Sequence, residues 1–482
     1  MEKNIYENRL RKMETFKRLI NLVLSFLCLA IEIGIFAYFW TEHFNKSVVE
    51  PLRQMGYKGS ALEFVIYAVV LYLFSRLYGG MRLGYLKNAE IIFSQIFATL
   101  IADAFIYAQA SMMARELFVP HMFICMFAIQ FVAVILYISL ANWIYRSVFP
   151  PRRLLLLHGE RPTKLIRSKF ESRKDKYRII KEAPVVSDME ANYKVIWDSY
   201  TSGECNAVVL WDISTKARNK LLKYCYAKSI RVYIMPKITD VIMMGAEELH
   251  VFDSPMLLSR EYTMTMEQRF LKRLIDIVCA LIALIPAIPL MLIAAIAIKL
   301  YDGGPILYKQ VRCTKDQRQF KIMKLRSMKI DAEKDGKARL AKKNDDRITP
   351  IGKIIRKCRV DELPQLFNIL KGDMSFIGPR PERPEIIEQY LELMPEFAYR
   401  MKVKAGLAGF AQVYGKYNTT PYDKLKLDLT YIENYSVWLD LKLMLLTLKV
   451  LLWPDSTEGV DAEQITALRQ EKLDKVQNGK EE

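Results

Sequence analysis

The chain has 482 residues, of which 52% are hydrophobic and 26% charged, with 71 Lys/Arg against 53 Asp/Glu for a formal net charge of +18. The apolar fraction excludes a disordered chain, and the charge excludes a membrane channel with little soluble mass. Seven cysteines form no Cys-x-x-Cys pair, which argues against a disulfide framework or a cysteine-based zinc site. The four histidines end at His250, so chemistry in the second half must proceed without imidazole.

Four long apolar runs occupy roughly 19–40, 61–78, 90–112 and 121–145. Each approaches the ~20 residues that a helical bilayer span requires. Lys3, Arg9, Arg11, Lys12, Lys17 and Arg18 lie before or at the start of the first run, and Arg146, Arg152 and Arg153 follow the fourth. The loop between the third and fourth runs carries only Arg115. By the positive-inside rule both ends of this four-helix bundle, residues 1–150, face the cytoplasm. Glu32 and Asp103 fall inside spans, where ionisable groups are expensive and face other helices or a functional path.

Residues 151–260 read as a Rossmann-like α/β module, regulatory or dimerising. Leu154–Leu157, Ala207–Leu210 and Arg231–Met235 are its buried-strand candidates, and charged helical stretches alternate with them. A dinucleotide site would want Gly-x-Gly-x-x-Gly after the first strand; the chain has His158-Gly159-Glu160-Arg161-Pro162 instead.

A fifth apolar run, Leu274–Leu300, has Pro286 and Pro289 at its centre and basic residues at both ends. Two prolines remove two helix donors and are expected to break the helix. Basic flanks favour two cytoplasmic ends. A re-entrant helix over 272–300, dipping into the bilayer and returning, satisfies both.

Residues 299–360 hold 19 Lys/Arg against 7 Asp/Glu, a net of +12. Such a patch suits anionic lipid, nucleic acid or a phosphorylated substrate. No nucleic-acid motif or regular aromatic spacing accompanies it, and much of 331–347 reads as a solvated face. The acidic pair Asp361-Glu362 follows, with Arg356 and Arg359 just before it. Adjacent carboxylates repel and need cations or a metal. An Asp can act as a nucleophile toward phosphorus, and a neighbouring Glu can hold Mg²⁺, which prefers oxygen ligands. Pro379-Arg380-Pro381 stiffens the backbone and aims one guanidinium, whose fork matches phosphate.

Residues 267–453 resemble the bacterial sugar transferases, the polyprenyl-phosphate phosphoglycosyl transferases. The resemblance rests on Lys272-Arg273-Leu274-Ile275-Asp276, the segments 302–312 and 320–328, and the block 361–385. Gly406-Leu407-Ala408-Gly409-Phe410-Ala411-Gln412-Val413, Tyr431–Ser436 and Asp440 complete it. The family implies a mostly α catalytic domain, here 261–455, followed by a polar tail, 456–482. It implies transfer of sugar 1-phosphate from a UDP-sugar to undecaprenyl phosphate, releasing UMP, as the first membrane step of exopolysaccharide, capsule or O-antigen assembly at the bacterial inner membrane. Carried over to this chain, Asp361 becomes the covalent nucleophile and Glu362, with Asp361, the Mg²⁺ site. Arg312, Lys324, Arg326, Arg356, Arg380 and Arg400 become phosphate contacts, and Glu382 and Gln412 line the substrate pocket. The large form of the family further implies a homodimer among membrane lipids.

The chain departs from the family pattern at Ile288-Pro289, where Ser-Pro is usual, and at Ala405–Phe410, where Pro-Gly-Leu-Thr-Gly-Trp is frequent. Two rival readings are a membrane scaffold or regulator with a decayed transferase domain, and a metal-dependent glycosyltransferase. The intact acidic pair opposes the first, and the lack of an Asp-x-Asp opposes the second.

Overall fold

The computed structural model describes residues 2–45, 57–115, 117, 120–251, 253–259, 264–330, 332, 347–415 and 419–452. Most of the charged stretch 331–347 and the whole tail 456–482 lie outside the described residues. The chain divides into two compact units, Met1–Met235 and Pro236–Glu482.

The first unit begins with four long helices: α1 (Glu2–Phe39, continued by a π-turn Trp40–Phe44), α2 (Tyr57–Tyr78), α3 (Asn88–Ala114) and α4 (His121–Val148). All four runs read from the sequence fall on these helices. With a fifth, Met266–Asp302, they are long and apolar enough to cross a membrane by length and composition. These helices and the α/β region below fit a membrane protein with a soluble domain. Apolar side chains stand on the outside of the bundle, with Leu136, Leu140 and Trp143 more than half exposed on α4. Polar groups turn inward. Glu32 accepts from Gln95 at 2.7 Å and from Thr99. Asp103 accepts from the Tyr67 hydroxyl at 3.0 Å, and Gln130 donates to that hydroxyl at 2.8 Å. Both carboxylates therefore face other helices, where hydrogen bonds offset the cost of burial.

A parallel sheet completes this unit. Strands β1 (Arg152–His158), β2 (Tyr177–Pro184), β3 (Ala207–Trp211) and β4 (Arg231–Ile234) pair in the order β2-β1-β3-β4. Helices α5 (Lys164–Glu171), α6 (Met189–Thr201) and α7 (Thr215–Ala227) connect them. Leu155 and Leu157 enter one core while Leu154 and Leu156 enter the other, as a strand covered on both faces requires. The strand order reverses between β1 and β3, where parallel sheets commonly open a ligand crevice. Here a Cβ on Gly159 would stand 2.0 Å from the Asp212 carbonyl, and Arg161 pairs with Asp212 at 3.2 Å. Gly159 and Asp212 thus approach closely at this point.

The second unit starts at Pro236, earlier than the boundary at 260 read from the sequence. Helix α8 (Ile238–Met244) buries Ile238 and Val241 in one core with Leu425, Leu429 and Tyr431. An exposed hairpin, β5 (Glu247–Val251) and β6 (Ser254–Leu258), follows it. Helix α9 (Met266–Asp302) then runs on through both prolines. This differs from the expected break in the helix: Pro286 and Pro289 deprive the carbonyls of Ile282 and Ile285 of their helical donors, yet the helical run is continuous. Before the prolines, Ala280, Leu284 and Ala287 pack on Phe320, Ile322, Leu366 and Ile369. After them, Ala294 and Ile298 pack on Leu325 and Ile355. The two halves of the helix thus pack into two separate apolar clusters of this unit.

Those clusters draw on an antiparallel hairpin, β7 (Leu307–Cys313) with β8 (Gln319–Leu325), and on the helices α10 (Pro350–Lys357) and α11 (Gln365–Lys371). Strands β9 (Ser375–Ile377) and β10 (Gly406–Ala408) pair in parallel. Helices α12 (Pro384–Leu393), α13 (Phe410–Tyr414), α14 (Pro421–Glu433) and α15 (Val437–Leu452) close the unit.

Candidate active site

Three residues of α9 hold the segment that follows the acidic pair. Arg273 donates to the carbonyls of Ile369 and Leu370 at 2.6 and 2.7 Å, capping the end of α11. Asp276 accepts from the Ser375 hydroxyl and the Phe376 amide, both at 2.9 Å. Lys272 donates to the Ile377 carbonyl at 3.0 Å and to Asp440 at 2.6 Å. The spacing of Lys272-Arg273-Leu274-Ile275-Asp276 puts all three on the buried side of one helix, so a single rigid element fixes residues 369–377. Asn368 ties the other side of α11 to β8: its amide donates to the Lys321 carbonyl and its oxygen accepts from the Met323 amide, both at 3.0 Å.

The acidic pair sits on a short 3₁₀ turn, Val360–Glu362, between α10 and α11. The chain reverses at Arg359, whose φ of +56° lies in the left-handed region that long L side chains adopt rarely. On β8, Phe320, Ile322 and Lys324 alternate onto one face. Phe320 and Ile322 are core, and Lys324 reaches Glu362.

Glu362 is ringed by cations. Its Oε1 accepts from Arg380 at 2.9 Å and Lys324 at 3.2 Å, with Arg359 at 3.8 Å. Burial alone would raise its carboxyl, but Arg380, Lys324 and Arg359 hold it well below the usual range. Asp361 beside it is different. It is 8% exposed, and its Oδ1 is buried with no hydrogen-bond partner. Burial and the charge of Glu362 push its carboxyl up, against the pull of Lys324, Arg356 and Arg359. Cations engage one oxygen of Glu362, Oε1, while Asp361 Oδ1 has no hydrogen-bond partner.

A second acidic centre lies on the far side of Arg380. Glu382 binds Lys424 at 2.6 Å, Arg312 at 3.6 Å and Arg400 at 3.8 Å. Burial would raise its carboxyl, yet these cations bring it down to about 2. Arg312 also donates to the Pro381 carbonyl at 3.2 Å, and burial pushes its guanidinium down to about 10. Arg400 is 3% exposed, donates twice to Asp428 at 2.8–2.9 Å and reaches the Arg380 carbonyl at 3.1 Å. The Pro379–Pro381 loop is seated by close backbone approach. A Cβ on Gly378 would stand 2.4 Å from the Lys404 carbonyl, and one on Gly406 would stand 2.1 Å from the Gly378 amide. The glycines of both motifs are required where these two backbone segments touch.

The structure thus brings Asp361, Glu362, Lys324 and Arg380 together, with Arg312, Glu382 and Arg400 adjoining through Arg380 and its loop. Arg356 acts on Asp361 through charge. Arg326 stands elsewhere: one amino group binds Asp302 at the end of α9, and Nη1 is buried without a partner. Gln412 likewise has both terminal atoms buried and unpartnered. The sequence reading does not name Arg359, Lys424 and Asp428 as site residues. Arg359 was within reach, three residues from Glu362, but Lys424 and Asp428 lie on a distant helix with no local motif. The acidic pair fits a Mg²⁺ ion, which is commonly held by one or two carboxylates plus substrate phosphates. Among the described residues no group of three or more His, Cys, Asp or Glu gathers, so donor phosphate and water would supply the remaining ligands.

Residues 267–454 match the family model described as bacterial sugar transferase. A UDP-glucose:undecaprenyl-phosphate glucose-1-phosphate transferase of Caulobacter vibrioides is 40% identical over 190 residues, which are 38% of this chain and 71% of that protein. The chain belongs to the bacterial sugar transferase family. All the site residues above lie within the matched segment. A UDP-N-acetylgalactosamine-undecaprenyl-phosphate N-acetylgalactosaminephosphotransferase of Aeromonas hydrophila is 39% identical over 239 residues, 48% of this chain and 55% of that protein. A UDP-glucose:undecaprenyl-phosphate glucose-1-phosphate transferase of Klebsiella pneumoniae is 42% identical over 181 residues, 36% of this chain and 39% of that protein. The match to these two sugar transferases therefore spans about half or less of their length.

Proposed function

We propose that this sugar transferase moves a sugar 1-phosphate from a UDP-sugar to undecaprenyl phosphate. Asp361 attacks the β-phosphorus; the Asp361–phosphorus bond forms, the bridge between the two phosphorus atoms breaks, and UMP leaves with the bridging oxygen. The lipid phosphate then attacks the same phosphorus, freeing Asp361 and forming undecaprenyl-diphospho-sugar. The lipid phosphate is already anionic, so the second attack needs no general base, in keeping with a catalytic half without histidine.

The observation that carries this reading is the contrast within the acidic pair. Asp361 Oδ1 is buried without a hydrogen-bond partner, whereas Glu362 Oε1 is engaged by Lys324 and Arg380. Glu362 is held ionised by its cations. Lys324, Arg380 and Arg312 supply fixed positive charge for developing phosphate charge, which works best when the donors are positioned beforehand. A Mg²⁺ ion on Asp361 and Glu362 would neutralise donor diphosphate charge. The Gln412 amide, buried without a partner, is an uncommitted polar group suited to the donor's remaining oxygens.

The placement proposed is a bacterial inner membrane with the catalytic unit on the cytoplasmic face. The basic flanks of α9 support it. The test is nucleotide release from a panel of UDP-sugars with undecaprenyl phosphate. Release of UMP with a phosphosugar adduct on Asp361, and loss of turnover in Asp361→Asn, are expected. UDP as product, or full activity in Asp361→Asn, would overturn the assignment.

A further inference from the structure

The turn that carries the acidic pair begins at a residue whose backbone and side chain ask for different things. Helices often end on a residue in the left-handed region, where glycine is usual. Helix α9 ends on Gly303 at φ +67°, and α11 ends on Gly372 at φ +91°. After α10 the same conformation falls to Arg359, at φ +56° and ψ +18°. The end of a helix accounts for that conformation. It does not account for the side chain, because a residue with a Cβ is strained there and glycine is not.

Arg359 is also the joint between α10 and the acidic turn. Its amide donates to the Arg356 carbonyl and its carbonyl accepts from the Glu362 amide, both at 3.2 Å. The side chain then returns over the turn that its own backbone has set, and its guanidinium stands 3.8 Å from Glu362 Oε1. The two cations that hydrogen-bond this oxygen arrive on other segments. Lys324 comes from β8, 38 positions away, and Arg380 from the loop after β9, 18 positions away. Their distances to Glu362 depend on how those segments pack. Arg359 is three residues from Glu362 on one continuous turn, so its charge travels with the acidic pair.

We infer that Arg359 is a positioning residue: its strained backbone holds a guanidinium over the acidic turn, and that charge fixes the Glu362 carboxylate beside Asp361. This role belongs to the sugar-phosphate transfer proposed above and rests on it. Removing a partner that orients a carboxylate of this kind costs roughly 10–100-fold in activity.

The test separates the backbone of Arg359 from its charge. Arg359→Gly and Arg359→Asn accept a positive φ and lack the charge. Arg359→Lys keeps the charge and the strain. Each full-length protein is assayed for UMP release with undecaprenyl phosphate and whichever UDP-sugar of the panel wild type uses, and its thermal unfolding is followed. Gly and Asn at this position should lower kcat roughly 10–100-fold. KM for the UDP-sugar should stay within about twofold, since the charge acts on the reacting turn and not on uniform binding. The unfolding temperature of both should equal or exceed that of wild type, because strain is relieved. Activity and stability thus move in opposite directions, which a merely structural residue would not allow. Arg359→Lys should regain most of the lost kcat. Wild type that releases UDP, or no nucleotide, removes the reaction and this role with it. Wild type that releases UMP while the Gly and Asn variants keep full kcat overturns the role of Arg359 alone. So does a fall in unfolding temperature that tracks the lost activity in both variants, or a Lys variant as slow as the Gly variant.

Discussion

Arg400 is the sharpest test of what the arginines of the catalytic unit do. The sequence pattern suggests a phosphate contact, but its guanidinium is buried against Asp428 at 2.8–2.9 Å, with the two side chains 3% and 1% exposed. Replacing one member of a buried ion pair leaves an uncompensated charge and costs about 3–5 kcal/mol. For a unit of this size, ~1 kcal/mol moves the melting temperature by about 2–4 °C. Arg400→Met should therefore lower the unfolding transition of the catalytic unit by roughly 6–20 °C. The double variant Arg400→Met/Asp428→Leu removes the stranded charge and should recover more than half of the loss. The remainder reflects the Arg380 carbonyl, which loses its 3.1 Å donor, worth about 1 kcal/mol. Thermal unfolding of the full chain in detergent, read by intrinsic fluorescence, measures all three proteins. If Arg400→Met melts with the wild type while KM for the UDP-sugar rises, Arg400 binds substrate and the scaffold argument fails.

In the proposed reaction Asp361 attacks as its carboxylate, and burial with the charge of Glu362 pushes its carboxyl above an ordinary aspartate's, so the acid limb of kcat/KM should fall above pH ~4. Lys324→Met removes a cation that pulls Asp361 down and should move that limb to higher pH; an unmoved limb would detach the profile from Asp361. Glu382, held near 2 against 4.5, contributes stability that is complete above pH ~4.5 and disappears as pH falls toward 2, roughly 3 kcal/mol in full. Denaturation of Glu382→Gln beside wild type should show a gap that closes through that window; a constant gap would contradict the ion pairs. Gly378→Ala drives a Cβ into backbone at 2.4 Å and should separate β9 from β10, with activity lost before secondary structure; full activity would mean that the Pro379–Pro381 loop need not sit where it does.

Local chemistry was legible in the sequence and long-range pairing was not. The apolar runs were readable because a bilayer span needs a continuous length. β1 and β3 were readable because both faces are buried, so Leu154–Leu157 and Ala207–Leu210 are unbroken apolar runs. β2, at the sheet edge, has no such run; its Tyr177–Pro184 is half exposed and mixed in character, and it was missed. The acidic pair was legible because adjacent carboxylates are costly without cations. Which cation serves which carboxylate depends on the fold: Lys424 reaches Glu382 across 42 positions and Arg326 reaches Asp302 across 24. The boundary at Pro236 depends on Ile238 and Val241 finding partners nearly 190 positions away. The prolines of α9 were visible, but their effect was not, because packing of both helix halves holds the run together through two missing donors.

The fixed carboxylates of this site explain how so much positive charge can be kept in one place. Lys324, Arg359 and Arg380 would repel one another around an empty centre, as would Arg312, Arg400 and Lys424. Glu362 and Glu382 each gather one such set. Arg380 is tied to both sets, by its side chain to Glu362 and by its carbonyl to Arg400. The cations are therefore positioned before any phosphate arrives, so little reorganisation remains for the reacting complex. Asp361 is the exception: its Oδ1 is given no partner. Asp361 shares the field of the cations without a hydrogen bond at Oδ1, which supports the nucleophile role proposed for it beside an anchoring role for Glu362.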